Sequence, residues 1–227
     1  MELSLFNEAG LHFLLRWIHL LAGVTWIGLL YYFNFVQGEY FKEADGAAKS
    51  DVIRKLVPNA LWWFRWGAMF TFLSGAAMMA VLPNLGHISG LGISIGAVLG
   101  TLMFLNVWMI IWPNQKIVIA SAQAVADGGD ALPDAGSALA KAGLASRTNT
   151  LFSIPMLFFM AASNHLGGLQ TVVHSAGVPA LASIFGLIIA LELNAIFGKT
   201  GPMTSVKGVI HMGFLLTAVL YLLAELL

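Results

Sequence analysis

The chain has 227 residues, of which 59% are hydrophobic and 10% charged, and its formal net charge is zero. This composition is too apolar for a water-soluble domain of that size and indicates a protein of the lipid bilayer. Zero net charge without a basic run excludes an electrostatic basis for nucleic-acid binding, and the lack of cysteine excludes disulfides, iron–sulfur clusters and c-type haem attachment within the chain.

Six segments are long and apolar enough to cross the bilayer, which takes about 20 residues for about 30 Å of hydrocarbon. They lie at residues 10–34, 60–82, 90–112, 149–167, 175–197 and 205–227. We therefore predict an all-α fold, a polytopic transmembrane bundle of about six helices in one domain over residues 1–227. The first segment contains Arg16 and is too long for a signal peptide, so we expect it to be retained.

One side of the first segment is polar. At about 100° per residue, five residues fall within an arc of about 80°: His12, Arg16, His19, Gly23 and Trp26. These residues supply the parts of a haem-b site, namely an imidazole for the iron, a glycine where a macrocycle could approach, and a cation for a propionate. The alternative is that His12 is solvated at the interface, Arg16 snorkels and His19 hydrogen-bonds a neighbouring helix.

The two longest connections are residues 36–58 and 117–147. The first should contain a short amphipathic helix around residues 51–56, ended by Pro58. The second should begin as an alanine-rich helical run, break at residues 127–130 and at Pro133, and then resume. Neither connection is expected to be a separate domain.

Two packing features are expected between the helices. Gly92, Gly96 and Gly100 recur at every fourth residue of the third segment, which predicts a surface for close helix packing. Arg65 and Glu192 each lie one to two turns from the same end of their segments, so an ion pair between the second and fifth helices is expected.

His165, near the end of the fourth segment, is the candidate partner of His19. Counting about 1.5 Å per residue, the two imidazoles differ in depth by only about 5 Å. Ala161 and Ala162, one turn away, leave room for a flat ligand. We predict that His19 and His165 bind the iron of one haem, with Arg16 near a propionate. The alternative for His165 is a role in ending the helix at residues 164–168.

The other histidines are weaker candidates. His211 lies about 10 Å deeper than His19, so a second haem, proton movement and a hydrogen bond between helices all remain open for it. His87 and His174 belong to short connections, where histidines are more often solvated than bound to a metal.

The basic residues predict the orientation. Nine of the eleven Lys and Arg lie in the connections after the first, third and fifth segments, which should therefore be cytoplasmic. Both termini are then outside, and five of the six histidines lie toward the outer face. We expect a multi-pass protein of the bacterial inner membrane with its chemistry at the periplasmic side.

Four strings of residues stand in order along the chain. They are Arg16-Trp17-Ile18-His19 with Trp26-Ile27-Gly28, Trp63-Phe64-Arg65-Trp66 with Leu73-Ser74-Gly75, Asn106 with Ile111-Trp112-Pro113-Asn114-Gln115-Lys116-Ile117-Val118, and Ser163-Asn164-His165. They resemble the membrane domain of the cytochrome c-coupled urate oxidases, with gaps, over residues 14–168. The resemblance implies an integral membrane oxidoreductase whose electrons pass to a periplasmic cytochrome c.

The chain resembles a shortened form of that domain, without the C-terminal cytochrome c domain. Three positions where the family has histidine are Ala60, Ser94 and Thr148 here, whereas His19 and His165 remain. Two functions stay open: a haem-b oxidoreductase or electron-transfer subunit, urate oxidase-like and linked to cytochrome c, or a non-catalytic subunit that scaffolds a larger membrane complex. The expected partners are membrane lipid and a periplasmic cytochrome c or a larger redox complex; an oligomer is left open.

Overall fold

The computed structural model describes residues 4–81, 90–170 and 176–226. This part of the chain forms seven α-helices and no β-strand. Six helices are long and one is short, so the predicted all-α bundle of about six long helices is confirmed. In chain order they are α1 Glu8–Glu43, α2 Gly46–Lys55, α3 Val57–Val81, α4 Leu91–Ala126, α5 Ala135–Ala162, α6 Val178–Phe197 and α7 Val206–Leu226.

Four of the described helices are long and apolar enough to cross a membrane, namely α1, α4, α6 and α7. The predicted second and fourth spans coincide with α3 and α5, which are long helices of lower apolarity. In α5 four polar residues are buried inside the bundle, because this helix packs against α1, α4, α6 and α7: Thr148, Asn149, Thr150 and Ser153. The chain is thus a membrane protein built around a central helix that its neighbours shield from lipid.

Hydrogen bonds from the neighbours satisfy the polar side of α5. Tyr31 Oη lies 2.9 Å from Ser153 Oγ, and Asn34 Nδ2 donates to Ser146 Oγ at 2.8 Å. Further along, Asn149 Nδ2 donates to the Met103 carbonyl of α4 at 2.9 Å. These bonds fix α1 and α4 against the centre of the bundle at defined heights.

The glycine surface predicted on α4 is confirmed. A Cβ on Gly96 would lie 2.8 Å from Met160 Cγ, and one on Gly92 would lie 3.0 Å from Leu169 Cβ. At Gly100 the gap to the Met160 side chain widens to 3.7 Å. The glycines therefore let α4 approach α5 and the turn that follows it more closely than larger residues would allow.

Helical structure extends well beyond the apolar segments. α1 continues to Glu43 and α4 to Ala126, so the predicted loops 36–58 and 117–147 are largely helical. The break in the second loop occurs as expected, with Gly128 at a φ of 89° and α5 beginning at Ala135. The predicted short helix around residues 51–56 is α2, which ends at Lys55, three residues before Pro58. Pro58 lies in the first turn of α3. Backbone N–H groups in the first turn have no hydrogen-bond partner within the helix, so proline is tolerated there.

Two of the long helices contain a π-helical segment. Residues Tyr32–Gln37 interrupt α1, and residues Asn106–Ile111 interrupt α4. A π-helix shifts the hydrogen bonds from the fourth to the fifth following residue and is frequent at functional sites. The sequence carried no signal for either segment, because the apolar pattern runs through both without a proline or glycine.

The orientation of the bundle remains a prediction that reporter fusions can test. Fusions after Leu227 should be active outside the cytoplasm, and fusions within residues 117–147 should be active inside, because nine basic residues lie on that side. Paired reporters that work only in one compartment would provide the measurement. The reverse pattern would move the histidine-rich end to the cytoplasmic face.

Candidate functional site

His19 is held on the surface of α3 by Ser74 and Gly75. His19 Nδ1 lies 3.2 Å from Ser74 Oγ, whose hydroxyl proton is already donated to the Phe70 carbonyl at 2.6 Å. Ser74 can therefore accept a hydrogen bond from His19, and in that tautomer the proton resides on Nδ1 of the imidazole. This arrangement leaves Nε2 with a free lone pair, which is the form of histidine that binds a metal.

The backbone of α3 leaves just enough room for the ring. A Cβ on Gly75 would lie 3.1 Å from His19 Cε1, closer than ordinary packing permits. The absence of a side chain at Gly75 thus leaves the space that the imidazole occupies. His19 is half-buried in this position, and its environment combines a fixed orientation with partial access from outside.

The other residues on the polar side of α1 have two different environments. Toward the N-terminus, Arg16 is exposed and its Nη2 lies 3.5 Å from His12 Nε2. Toward the bundle, a Cβ on Gly23 would lie 3.9 Å from Thr71 Cγ2, and Trp26 is only 2% exposed. After His19, the polar side of α1 is therefore covered by α3. Before His19, toward the N-terminus, it remains accessible.

His165 does not lie on a helix. The predicted fourth helix, residues 149–167, ends at Ala162 instead, and the Ala162 carbonyl accepts from the backbone N–H groups of His165 and Leu166 at 2.9 and 2.8 Å. A turn at the helix end satisfies these groups, as the alternative for this residue expected. The His165 side chain is exposed.

The structure does not join His19 and His165. The hydrogen bond between Tyr31 and Ser153 fixes a common level on α1 and α5. His19 is twelve residues before Tyr31, or about 18 Å along α1, whereas α5 ends nine residues after Ser153 and His165 lies beyond it in the turn. Within the described residues, however, no hydrogen bond or ring contact links the two imidazoles.

The remaining histidines are not gathered around His19. His211 is exposed on α7, and His87 and His174 lie outside the described residues. Over the described ranges, no group of three or more His, Asp or Glu side chains is arranged to hold a metal ion. A haem differs from such a site because its porphyrin supplies four ligands and leaves at most two for the protein.

The predicted ion pair between Arg65 and Glu192 is wrong. Arg65 Cζ lies 3.9 Å from the ring centroid of Trp112, and Glu192 Oε2 accepts a hydrogen bond from Asn106 Nδ2 at 3.1 Å. α6 packs against α4, α5 and α7, whereas α3 packs against α1, α2 and α4. The prediction compared only the positions of the two charges along their segments, and their helices, α3 and α6, are not neighbours.

A cavity at the other end of the bundle was not anticipated from the sequence. It has a volume of about 820 Å³ and is lined in part by the π-helical segment of α1. Gln37 and Arg147 both line it, and each has a buried polar atom without a hydrogen-bond partner. The two residues are far apart in sequence, so no local motif could have indicated them.

Comparison with known proteins identifies a family. Residues 88–222 match the urate oxidase N-terminal family, and this match covers more than half of the chain. Neither a curated protein nor a solved structure matches the chain. The matched residues include α4 to α6, most of α7 and His165, while His19 precedes them. The chain therefore belongs to the urate oxidase N-terminal family, in which it is an all-helical membrane protein.

Proposed function

We propose that this chain is a haem-b-binding oxidoreductase or electron-transfer subunit, urate oxidase-like, that works at the outer face of the bacterial inner membrane with a cytochrome c. The observation that supports this most is the state of His19. Its Nδ1 lies 3.2 Å from Ser74 Oγ, which can accept a hydrogen bond from it and leave Nε2 for a metal, in a half-buried position on a membrane helix.

The residues present fit a haem held by neutral imidazole. His19 would bind the iron, and the exposed guanidinium of Arg16, one turn toward the N-terminus, would bind a propionate. His165 would be the second ligand of the iron, with His12 and His211 as substitutes. When bound, the haem would supply one-electron transfer.

The other residues of the site have positioning roles. Ser74 orients the imidazole and fixes its tautomer, which raises the basicity of the free nitrogen. Gly23 and Trp26 close the α1–α3 contact beneath His19 and exclude water from that side. The N-terminal part of the polar side of α1, with His12 and Arg16, is accessible and would leave room for a redox partner at the membrane surface.

The haem content of the purified chain tests this proposal directly. Pyridine haemochrome analysis of detergent-purified protein from haem-replete cells should show non-covalent protohaem at one or more per chain, since cysteine is absent from the sequence. A colourless preparation that stays folded by size-exclusion chromatography would overturn the proposal.

One observation favours the second function, a non-catalytic subunit of a larger membrane complex. Arg16 and His211 are exposed although both lie on helices apolar enough to cross a membrane. Polar side chains that face lipid are costly, and a neighbouring subunit would remove that cost. A folded, haem-free chain that co-purifies with another membrane protein would favour this function.

A further inference from the structure

Two cations share one aromatic ring between α3 and α4. Residues 63–66 and 112–116, two of the strings noted in the sequence, meet there, and the haem proposal gives neither a role. Arg65 Cζ of α3 lies 3.9 Å from the ring centroid of Trp112 on α4, and Lys116 Nζ lies 5.6 Å from the same centroid. The fold therefore concentrates positive charge at this contact.

Neither cation is neutralised by the protein. The ion pairs found in the described part of the chain all lie in the last turns of α1 and in α2. Over the same described ranges, the side chains of Arg65 and Lys116 form no hydrogen bond. A guanidinium has five N–H donors in a planar fork that matches the oxygens of a phosphate. Both charges are thus available to an external anion.

The two cations lie at the level of the lipid headgroups. Arg65 is five residues inside the predicted span 60–82, or about 7.5 Å along the helix, a depth from which its long side chain can reach the interface. Trp62 and Trp63, within one turn of it, are 44% and 54% exposed, and exposed tryptophan on a membrane helix marks the interface. Lys116 is exposed at the same contact.

The contacts between α3 and α4 continue from this level into the bilayer. Trp66 and Trp108 meet edge to face with ring centroids 5.6 Å apart, and Phe72 and Phe104 are stacked at 4.3 Å. As the residue number rises along α3 it falls along α4, so the two helices are antiparallel. Their outward surfaces therefore extend together from the cations toward the bilayer centre.

These outward surfaces are apolar below the cations. Phe70 of α3 and Met109 and Leu105 of α4 are exposed large hydrophobic residues. Phe70 also contacts the Trp66 ring, with centroids 6.0 Å apart. In a membrane such a surface is covered by acyl chains. The pair of helices thus presents positive charge at the headgroup level and apolar surface directly beneath it.

We propose that α3 and α4 bind an anionic phospholipid at Arg65 and Lys116. The guanidinium would donate to two phosphate oxygens, and the ammonium would add a second positive charge. Trp112 would keep the guanidinium in place through its ring face. The acyl chains would cover the exposed apolar surface below.

Charge favours an anionic lipid over a zwitterionic one. The phosphodiester of phosphatidylcholine is accompanied by a quaternary ammonium, which two unpaired cations would repel and which no carboxylate paired with them would attract. A headgroup such as phosphatidylglycerol carries the phosphate charge alone. Basic residues at a membrane surface attract anionic lipids in this way.

The proposal is independent of the haem. Ser74, which contacts His19, lies nine residues after Arg65, or about 13.5 Å further along α3. None of Arg65, Trp112 and Lys116 belongs to the candidate haem site. Loss of lipid binding should therefore leave the haem content per chain unchanged, and the two proposals can fail separately.

Three matched probes test the proposal on the detergent-purified full chain by native mass spectrometry. Dioleoylphosphatidylglycerol has the charge and the chains; dioleoylphosphatidylcholine has the same chains and phosphodiester without net charge; glycerophosphate has the phosphate without chains. We expect the anionic lipid to bind about fivefold or more tightly than the zwitterionic one, since each basic residue near the surface contributes a factor of about five. Glycerophosphate should not displace it.

Variants assign the binding to this contact. R65Q and K116Q should each weaken phosphatidylglycerol by about fivefold, and the double variant by about 25-fold. K207Q is the matched control, because it removes one exposed positive charge from the first turn of α7, away from α3 and α4, and should leave the affinity unchanged. In lipid-free detergent R65Q should melt close to the wild type, since Arg65 contributes only a contact with one ring.

Three outcomes would overturn the proposal. The first is that the folded wild-type chain binds both phospholipids equally or binds neither. The second is that R65Q, K116Q and K207Q weaken binding by the same factor, which would indicate a diffuse electrostatic effect. The third is that glycerophosphate displaces phosphatidylglycerol, which would identify a soluble phosphate as the occupant.

Discussion

Replacement of His19 by alanine should abolish the low-spin haem spectrum of the purified chain. Among the histidines that the structure describes, His19 is the one that contacts between helices orient, through Ser74 and Gly75. Without it, the iron would lose a ligand that the helix pair α1–α3 holds in place. The measurement is the Soret and α-band region of the absorption spectrum, with haem quantified per chain.

Companion variants separate ligation from folding. S74A should keep the ligand but weaken haem retention by roughly 10–100-fold, because it removes the hydrogen bond that orients the ring. H165A should perturb the same low-spin features, and R16Q should retain haem with a lowered midpoint potential, because loss of a nearby cation favours the oxidised form. If H19A and H165A both kept the wild-type spectrum, His12 and His211 would become the first candidates.

Replacement of Gly67 by leucine should destabilise the bundle more than any other single change at a glycine on α3. A Cβ at this position would lie 3.1 Å from the Trp26 nitrogen and 3.3 Å from the Ala22 carbonyl oxygen. Both atoms are backbone atoms of α1, so the two helices must separate. We expect a loss of about 3 kcal/mol, the upper end for overpacking, and a clearly lower melting temperature.

Gly186 offers the matched control. It is exposed on α6, and a Cβ there would meet nothing within 4 Å. G186L should therefore melt at or above the wild-type temperature, since leucine has the better helix propensity by somewhat less than about 1 kcal/mol. Equal melting temperatures for G67L and G186L, measured in the same detergent, would show that the α1–α3 contact is looser than the structure indicates.

The helices were predictable because hydrophobic segments of sufficient length are a local property of the sequence. The glycine surface of α4 was predictable for the same reason, since its period of four is read directly from Gly92, Gly96 and Gly100. The full lengths of α1 and α4 were not predictable, because the edge of the bilayer determines where the apolar residues end but does not determine where the helix ends. Polar residues continued both helices beyond it.

The candidate site was predictable only along each helix and not between helices. The periodicity of α1 placed His19 on one polar side, but it could not show that Ser74 of α3 would meet the ring. Depth alone suggested the pair Arg65 and Glu192, although Trp112 and Asn106 are their partners. Contacts between helices depend on rotation and adjacency, which one sequence does not specify.

The π-helical segment of α1 has a consequence for how this protein can vary. One turn of such a segment holds about one residue more than an α-helical turn, so the helix after it is rotated by about 100° relative to an uninterrupted one. His19 lies before residues Tyr32–Gln37, and the last turn of α1 lies after them. Deletion of one residue there would convert the segment into an α-helical turn and keep the His19-side face and the cavity-side face of α1 in their present relation, whereas deletion of one residue elsewhere between them would turn one face by about 100° relative to the other. The π-helical segment is therefore the part of α1 that can lose a single residue without rotating one end of the helix against the other.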